Sequence, residues 1–498
     1  MRRALSAPAT DTGSQVTHLL LAGLLGLLAV RLVALAFNGT DLFFDEAQYW
    51  TWSREPAFGY YSKPPLVAAL IGATGAVCGD GTFCVRVAAP LLHTITAALI
   101  FLIGRRLYDE RVGLWSALSF ATLPGVSLSS GIISTDVPLL TAWALALLGL
   151  VGLMQQRNGW APAVALGLGI GLGLNAKYAM VFFPASLAIW LIVTPSARGL
   201  LRDPRLWVGL AVGVLFIMPN LTWNAAHKFA TFAHTADNAK WGGQLLKPGK
   251  ALEFLAAQAA VFGPILLGGL VLALHRGWRN GLSAADRLLV CFTVPILAVI
   301  TTQAFLSRAH ANWAATAYVA GSILVSVTFL RLGLERWLKA SLALHVAIMA
   351  LLIAGTTMAG RFTLPFGADP FERTLGWSDL GTRTEAVLAE ARAAGHPYAA
   401  VIADERAVTA ALLYYIRHEP TPIRAWLSGP RPLDHYEMTR PLRADVKGPI
   451  LLVSLRQDAE RITDRFSQAT EVRQEDVPAG LGKPRHVRFM RLEGFKSD

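Results

Sequence analysis

The segment VPLLTAWALALLGLVGLM, residues 137–154, runs for 18 residues without a charge. An α-helix needs about 17–25 apolar residues to cross the ~30 Å hydrocarbon layer of a bilayer. Comparable runs recur along the chain, and they constrain the fold more than any other feature. Of 498 residues, 54% are hydrophobic and 16% charged, where a soluble domain carries about 25% charged residues. The sequence predicts an all-α polytopic membrane protein. Basic residues at the start precede the first apolar run, which is longer than a signal-peptide core. That run reads as a retained helix.

Helices are predicted at about 16–37, 85–104, 111–124, 134–154, 160–175, 178–194, 205–221, 251–274, 287–306, 312–331 and 341–359. Arginine and lysine cluster in four short loops, around Arg105, Arg202, Arg279 and Arg336. With the N-terminus in the cytoplasm and eleven crossings, all four clusters fall inside, as cytoplasmic loops require. Residues 66–79 are apolar but too short to cross. Counting them as a span would export every cluster, so they read as a re-entrant or interfacial helix. The same threading places outside loop 38–84, the turn ending at Asp136, the turn NAKY at 175–178, loop 222–250, SRAHANW at 307–313, and everything beyond 360.

The division falls at about residue 360, with a membrane domain over 1–359 and a second domain over 360–498. In the second, strand-like YAAVIAD, ILLVSL and HVRFMRL alternate with helical patterns such as TRTEAVLAEARAAG. That alternation predicts a small C-terminal α/β domain.

The net charge is +12, but its distribution argues against nucleic acid. The last 139 residues hold 20 basic and 19 acidic residues, and the excess lies in the membrane part, at 25 against 14. Topology and anionic lipid headgroups account for it. Cys291 lies in an apolar run and reads as core. Cys78 and Cys84 are joined if their loop faces an oxidising space, and are otherwise two free thiols.

Polar chemistry gathers in the external segments. Asp45 and Glu46 suit a helix start, where acids offset the dipole, and equally a base that takes a proton from an acceptor hydroxyl. Lys63 in YYSKPP either snorkels or is held by Pro64 and Pro65 as a cation for phosphate. Lys177 sits in a tight turn with only Asn175 and Tyr178 as polar neighbours, which makes a lipid phosphate its candidate partner. Arg308 and His310 add donors on the same side. Asp136 is either a helix cap or a site residue. Loop 222–250 reads as an aromatic lid; its two histidines, His227 and His234, lack a third ligand, so no metal site is assigned.

Taken in order, the external DE, the Y-x-K-P-P, the S/T-x-D, the lysine–tyrosine turn and the basic-N-W loop resemble family 39 glycosyltransferases. These are GT-C membrane enzymes that include protein O-mannosyltransferases and lipid A aminoarabinose transferases. The resemblance covers residues 30–330. It is similar to bacterial glycolipid-modifying members in PNLTWNAAHKFATFAHTADNA, FGPILL and SRAHANWAA, and in the C-terminal part in GWSDLG and the ADER…LLYY run. It implies an inverting transfer from a polyprenyl-phosphate sugar to a periplasmic glycolipid such as lipid A or its core. Protein transfer is the alternative, and a flippase a more distant one, since neither repeats nor mid-bilayer charges are evident. The resemblance makes Asp45 the base, groups Glu46 with it as the acid that orients the acceptor or the loop, and makes Asp136 the second external acid. Lys63, Lys177 and Arg308 become donor-phosphate ligands, and Tyr60, Tyr61, Tyr178, His310 and Asn312 acceptor or sugar contacts. It implies no nucleotide sugar and leaves a divalent cation open. The expected setting is the bacterial inner membrane.

Overall fold

The computed structural model describes residues 12–155, 158–239, 246–367, 369–456 and 458–496. The chain forms two compact units, one of residues 1–35, 87–222 and 236–352, the other of 36–86, 223–235 and 353–498. The external loop predicted to belong with the membrane helices therefore packs in one unit with the C-terminal domain.

The first unit is helical throughout its described residues, and every predicted helix has a counterpart in it. Among the described residues, six helices are long and apolar enough to cross a membrane, or up to seven if one bent pair is a single span. Shorter apolar helices lie at Ala161–Ala176, Tyr178–Val193 and Ala317–Arg331. The chain is a multi-pass membrane protein. The bent pair corrects the single helix expected over 251–274. Pro248–Phe262 and Pro264–Asn280 meet at 110°. Gly263 adopts φ +85° there, and a Cβ on it would lie 2.0 Å from His345 Nε2. Pro264 has no N–H with which to continue the ladder.

One helical hairpin in this unit sets the geometry of the site. Asp136–Met154 and Ala161–Ala176 pack against each other through small residues. A Cβ on Gly169 would lie 2.4 Å from the Ala146 nitrogen, and one on Gly149 2.4 Å from the Leu166 nitrogen. Glycine lets two backbones approach this closely within a membrane. Carried to the helix ends, this antiparallel register brings Asp136 opposite Ala179, two residues from Lys177.

In the second unit the Phe44–Arg54 and Leu66–Cys78 helices build the loop. Cys78 and Cys84 are disulfide-bonded. The C-terminal part is a five-stranded sheet of β1 (Ala400–Ala403), β2 (Ile423–Ala425), β3 (Ile450–Ser454), β4 (Phe466–Val477) and β5 (Arg485–Phe495), ordered β2-β1-β3-β5-β4. β1 pairs in parallel with both β2 and β3, while β5 is antiparallel to β3 and β4. Val401 and Ala403 face a core with Leu380, Leu412 and Phe489, and Ile402 faces a second core with Leu452 and Leu492. This is the period-2 alternation of a strand. Phe44 of the loop packs against the first core, which joins the loop to the domain.

Candidate active site

In the first unit, three motifs scattered through the sequence converge. Lys177 Nζ donates to Asp136 Oδ1 at 2.7 Å, and Asn312 Nδ2 donates to Asp136 Oδ2 at 2.7 Å. Both carboxylate oxygens are thus used by side chains, and neither accepts from a helix N–H. The Asp136 carboxylate is therefore not a helix cap. Lys177 has a partner that its sequence neighbourhood hides, 41 residues away. An ammonium has three donors, and one is spent on Asp136. The turn is held from behind, because Asn175 donates to the Phe216 carbonyl at 2.9 Å and the Tyr178 hydroxyl to Asn220 Oδ1 at 2.7 Å. Tyr178 therefore braces the turn. Arg308 is exposed, and His310 is exposed against Trp313.

Beside this cluster lies a cavity of about 390 Å³. Its walls are mainly apolar, including Phe120, Leu123, Val126 and Leu140, and Asp136 and Asn312 line it too. Its wall is largely apolar, and of the three clustered side chains Asp136 and Asn312 reach it, with Lys177 standing behind Asp136. Low dielectric strengthens every charge–charge contact in such a place.

In the second unit, the acidic pair of the loop divides its labour. Glu46 is fully buried. Its oxygens accept from Arg86 Nε at 2.9 Å and Nη2 at 2.7 Å, and Oε2 also accepts the Phe43 N–H at 2.9 Å. Arg86 spends its remaining donors on Thr40 and the Asp41 carbonyl. Glu46 therefore closes the helix start and locks the loop, the second of the two orienting roles expected of it, and its burial corrects its grouping with the catalytic acids. Asp45 is released from capping. Its Oδ1 accepts from Arg406 Nη1 at 2.8 Å, and its side chain keeps 39% exposure.

Tyr60 is likewise corrected. It is buried, stacks on Trp52 with centroids 4.5 Å apart, and donates its hydroxyl to the Trp52 carbonyl at 2.8 Å. Its N–H donates to the Lys63 carbonyl at 3.1 Å and closes the YYSK turn. Tyr60 is thus a structural strut. Tyr61 is half-buried, donates to the Pro432 carbonyl at 3.1 Å and meets His234 edge-on. The lid segment rests on this turn, since Thr231 donates to the Tyr60 carbonyl at 2.7 Å. His227 stacks on Trp223, so the two histidines of the segment are engaged with aromatic rings. Lys63 is half-buried.

His435 packs edge-on against both Trp52 and Tyr60. Burial, then the nearby Arg440 and His227, push its pKa from 6.5 down to about 3. The folded protein therefore refuses a proton that the unfolded chain takes up below pH 6.5. The stability this gives is complete above pH 6.5 and is lost as the pH falls toward 3. It amounts to about 2 kcal/mol lost at pH 5. Thermal unfolding of detergent-solubilised protein at pH 7.5 and pH 5 checks this: His435→Gln loses less stability on acidification than the parent. Equal losses would contradict it.

Residues 62–223 match the family model described as dolichyl-phosphate-mannose-protein mannosyltransferase. The chain is 36% identical over 431 residues to the lipid A galacturonosyltransferase RgtD of Rhizobium johnstonii, covering 86% of this chain and 89% of that protein. The chain belongs to the GT-C glycosyltransferases. As expected for a GT-C enzyme, its fold matches crystal structures of ArnT from Cupriavidus metallidurans. The TM-score is 0.67 at 14% identity for the form bound to undecaprenyl phosphate, covering 97% of this chain and 98% of that one. For the apo form it is 0.66 at 15% identity, with the same coverage. This GT-C glycosyltransferase thus carries the mainly helical architecture with a small C-terminal sheet domain.

Two residues of the site escaped the sequence reading. Arg86 stands inside the apolar run FCVRVAAP, and an arginine within such a run needs a partner, so that signal was available. Arg406 closes the ADER of the C-terminal run that shares the family resemblance, but its partner was hidden, because Asp45 lies 361 residues away.

Proposed function

We propose that this glycosyltransferase moves a sugar from a polyprenyl phosphate to an extracytoplasmic glycolipid of the lipid A class, with inversion. One observation carries the reading: the Asp136–Lys177–Asn312 cluster beside an apolar cavity in the membrane unit. A polyprenyl carrier needs an apolar wall and a cation at its phosphate; the cavity has the wall, and Lys177, bonded to Asp136 on its lining, is the candidate cation. Breaking the sugar–phosphate bond loads negative charge onto the departing phosphate, and Lys177 offsets it where water is scarce. Asp45 accepts the proton of the attacking hydroxyl. Lys63 and Arg308 are further candidates for the phosphate, and His310 for the acceptor. The relative's name makes a uronic acid the first sugar to test and lipid A the first acceptor.

Mass spectrometry of lipid A and core from cells with and without the gene tests the reading. Deletion should remove one hexuronic acid increment. Loss of sugar from secreted proteins with unchanged lipids would favour a protein acceptor, the second reading, which the mannosyltransferase family match supports. No change in either would overturn both.

Lys177→Met should lower turnover by about 10²–10³-fold, the usual cost of removing one preorganised charge from a developing anion. The measurement is single-turnover transfer by purified enzyme. Turnover within threefold of the parent would remove Lys177 from the donor site.

A further inference from the structure

We propose that Arg406 of the C-terminal α/β domain is a positioning residue for Asp45, so that this domain completes the catalytic centre. The inference rests on the reading of Asp45 as the base. Arg406 meets three residues on the Phe44–Arg54 helix. Its Nη1 donates to Asp45 Oδ1 at 2.8 Å and to Gln48 Oε1, and its guanidinium lies over the Phe44 ring at 4.9 Å. Residues 44, 45 and 48 lie along one side of the helix, so a single planar group spans them. Asp45 is anchored through one oxygen alone. Its Oδ2 makes no hydrogen bond to another described residue. A base needs this combination: one oxygen fixed and the other open to the hydroxyl it deprotonates.

The arginine is itself held rigidly. It opens the Arg406–Tyr415 helix, three residues beyond the end of β1. Asp404 Oδ2 accepts the hydroxyl of Ser454 at the end of β3, and Glu405 Oε1 accepts from Arg456 Nε at 3.1 Å. β1 lies between β2 and β3, and the chain leaves it first to one side and later to the other. Open α/β sheets bind their ligands at the carboxyl edge of such a switch point. In this domain that edge presents Arg406 to Asp45. The Tyr415 hydroxyl accepts the Leu42 N–H at 2.8 Å and the Tyr414 hydroxyl donates to the Asp80 carbonyl at 2.7 Å. The helix carrying Arg406 is therefore fastened to the loop on both sides of Asp45 in sequence.

The test compares Arg406→Ala, Arg406→Gln, Arg406→Lys, Asp45→Asn and the Asp45→Asn/Arg406→Ala pair in the full-length enzyme, each first checked for parental thermal unfolding. Arg406→Ala should lower kcat roughly 100-fold, the scale of a misplaced catalytic group, with donor KM within about twofold. Arg406→Lys should recover to within about tenfold of the parent, because it keeps a cation at the carboxylate. The double variant should be no slower than Asp45→Asn. If Arg406→Ala does not fold, Arg406→Gln, close in size, is held to the same expectations. Parental kcat in the folded Arg406 variants, with Asp45→Asn inactive, overturns this inference and leaves the base intact. Additive losses in the double variant also overturn it, since they mark a role independent of Asp45. Activity in Asp45→Asn overturns the base assignment itself.

Discussion

Replacing Asp45 with asparagine abolishes sugar transfer, by at least about 10³-fold, and leaves the protein folded. Proton transfer by a positioned side chain contributes typically 10²–10⁴-fold, and an amide has no basic lone pair of comparable strength. The fold should tolerate the change because Asp45 is not the helix cap: the cap contact to the Phe43 N–H belongs to Glu46. Asparagine also keeps an oxygen for Arg406, so the anchoring contact survives. The assay is transfer of sugar from a polyprenyl-phosphate donor, with thermal unfolding as the control. Turnover within tenfold of the parent would remove Asp45 from the chemistry.

Arg86→Ala acts on the fold instead. Arg86 and Glu46 are both buried, each with its side chain 1% exposed. Taking one partner from a buried ion pair strands the other, at a cost of about 3–5 kcal/mol. The loop from Thr40 to Glu46 loses five hydrogen bonds with it. Against a typical total stability of about 5–15 kcal/mol, this is enough to reduce yield and lower the unfolding temperature by several degrees. The double variant Glu46→Gln/Arg86→Met should recover part of the loss, because no unpaired charge remains. A single variant as stable as the parent would show that the pair contributes little. Asp45 and Glu46 are adjacent in sequence, yet their substitutions separate activity from stability.

The helical architecture was legible because apolar length and basic loops are strong, local signals. Strands β1 and β3 were legible as well, as short runs of buried apolar residues, and β5 as buried apolar residues alternating with basic ones. β4 was not, since most of its residues are exposed at the sheet edge, and β2 is three residues long. The break at Gly263–Pro264 carried a local signal, a glycine before a proline, that the surrounding apolar run masked. Among the site residues, Asp136, Lys177 and Asn312 were named from separate motifs. That they bond to one another follows from the glycine seam, which only three-dimensional packing reveals. Glu46 and Tyr60 were misplaced for one reason: a polar or aromatic group in an external loop looks free until its partners are known. Those partners, Arg86 for one and Trp52 for the other, exist to hold the loop.

The union of residues 36–86 with residues 353–498 in one unit has a consequence for biosynthesis. The ribosome delivers Asp45 361 residues before Arg406. At roughly 5–20 residues per second, that interval lasts about 20–70 seconds. During it the membrane helices insert while the loop stands without its companion. Competence is therefore the last property the nascent enzyme acquires, and a chain stopped after residue 352 would keep its acid and lose the arginine that seats it.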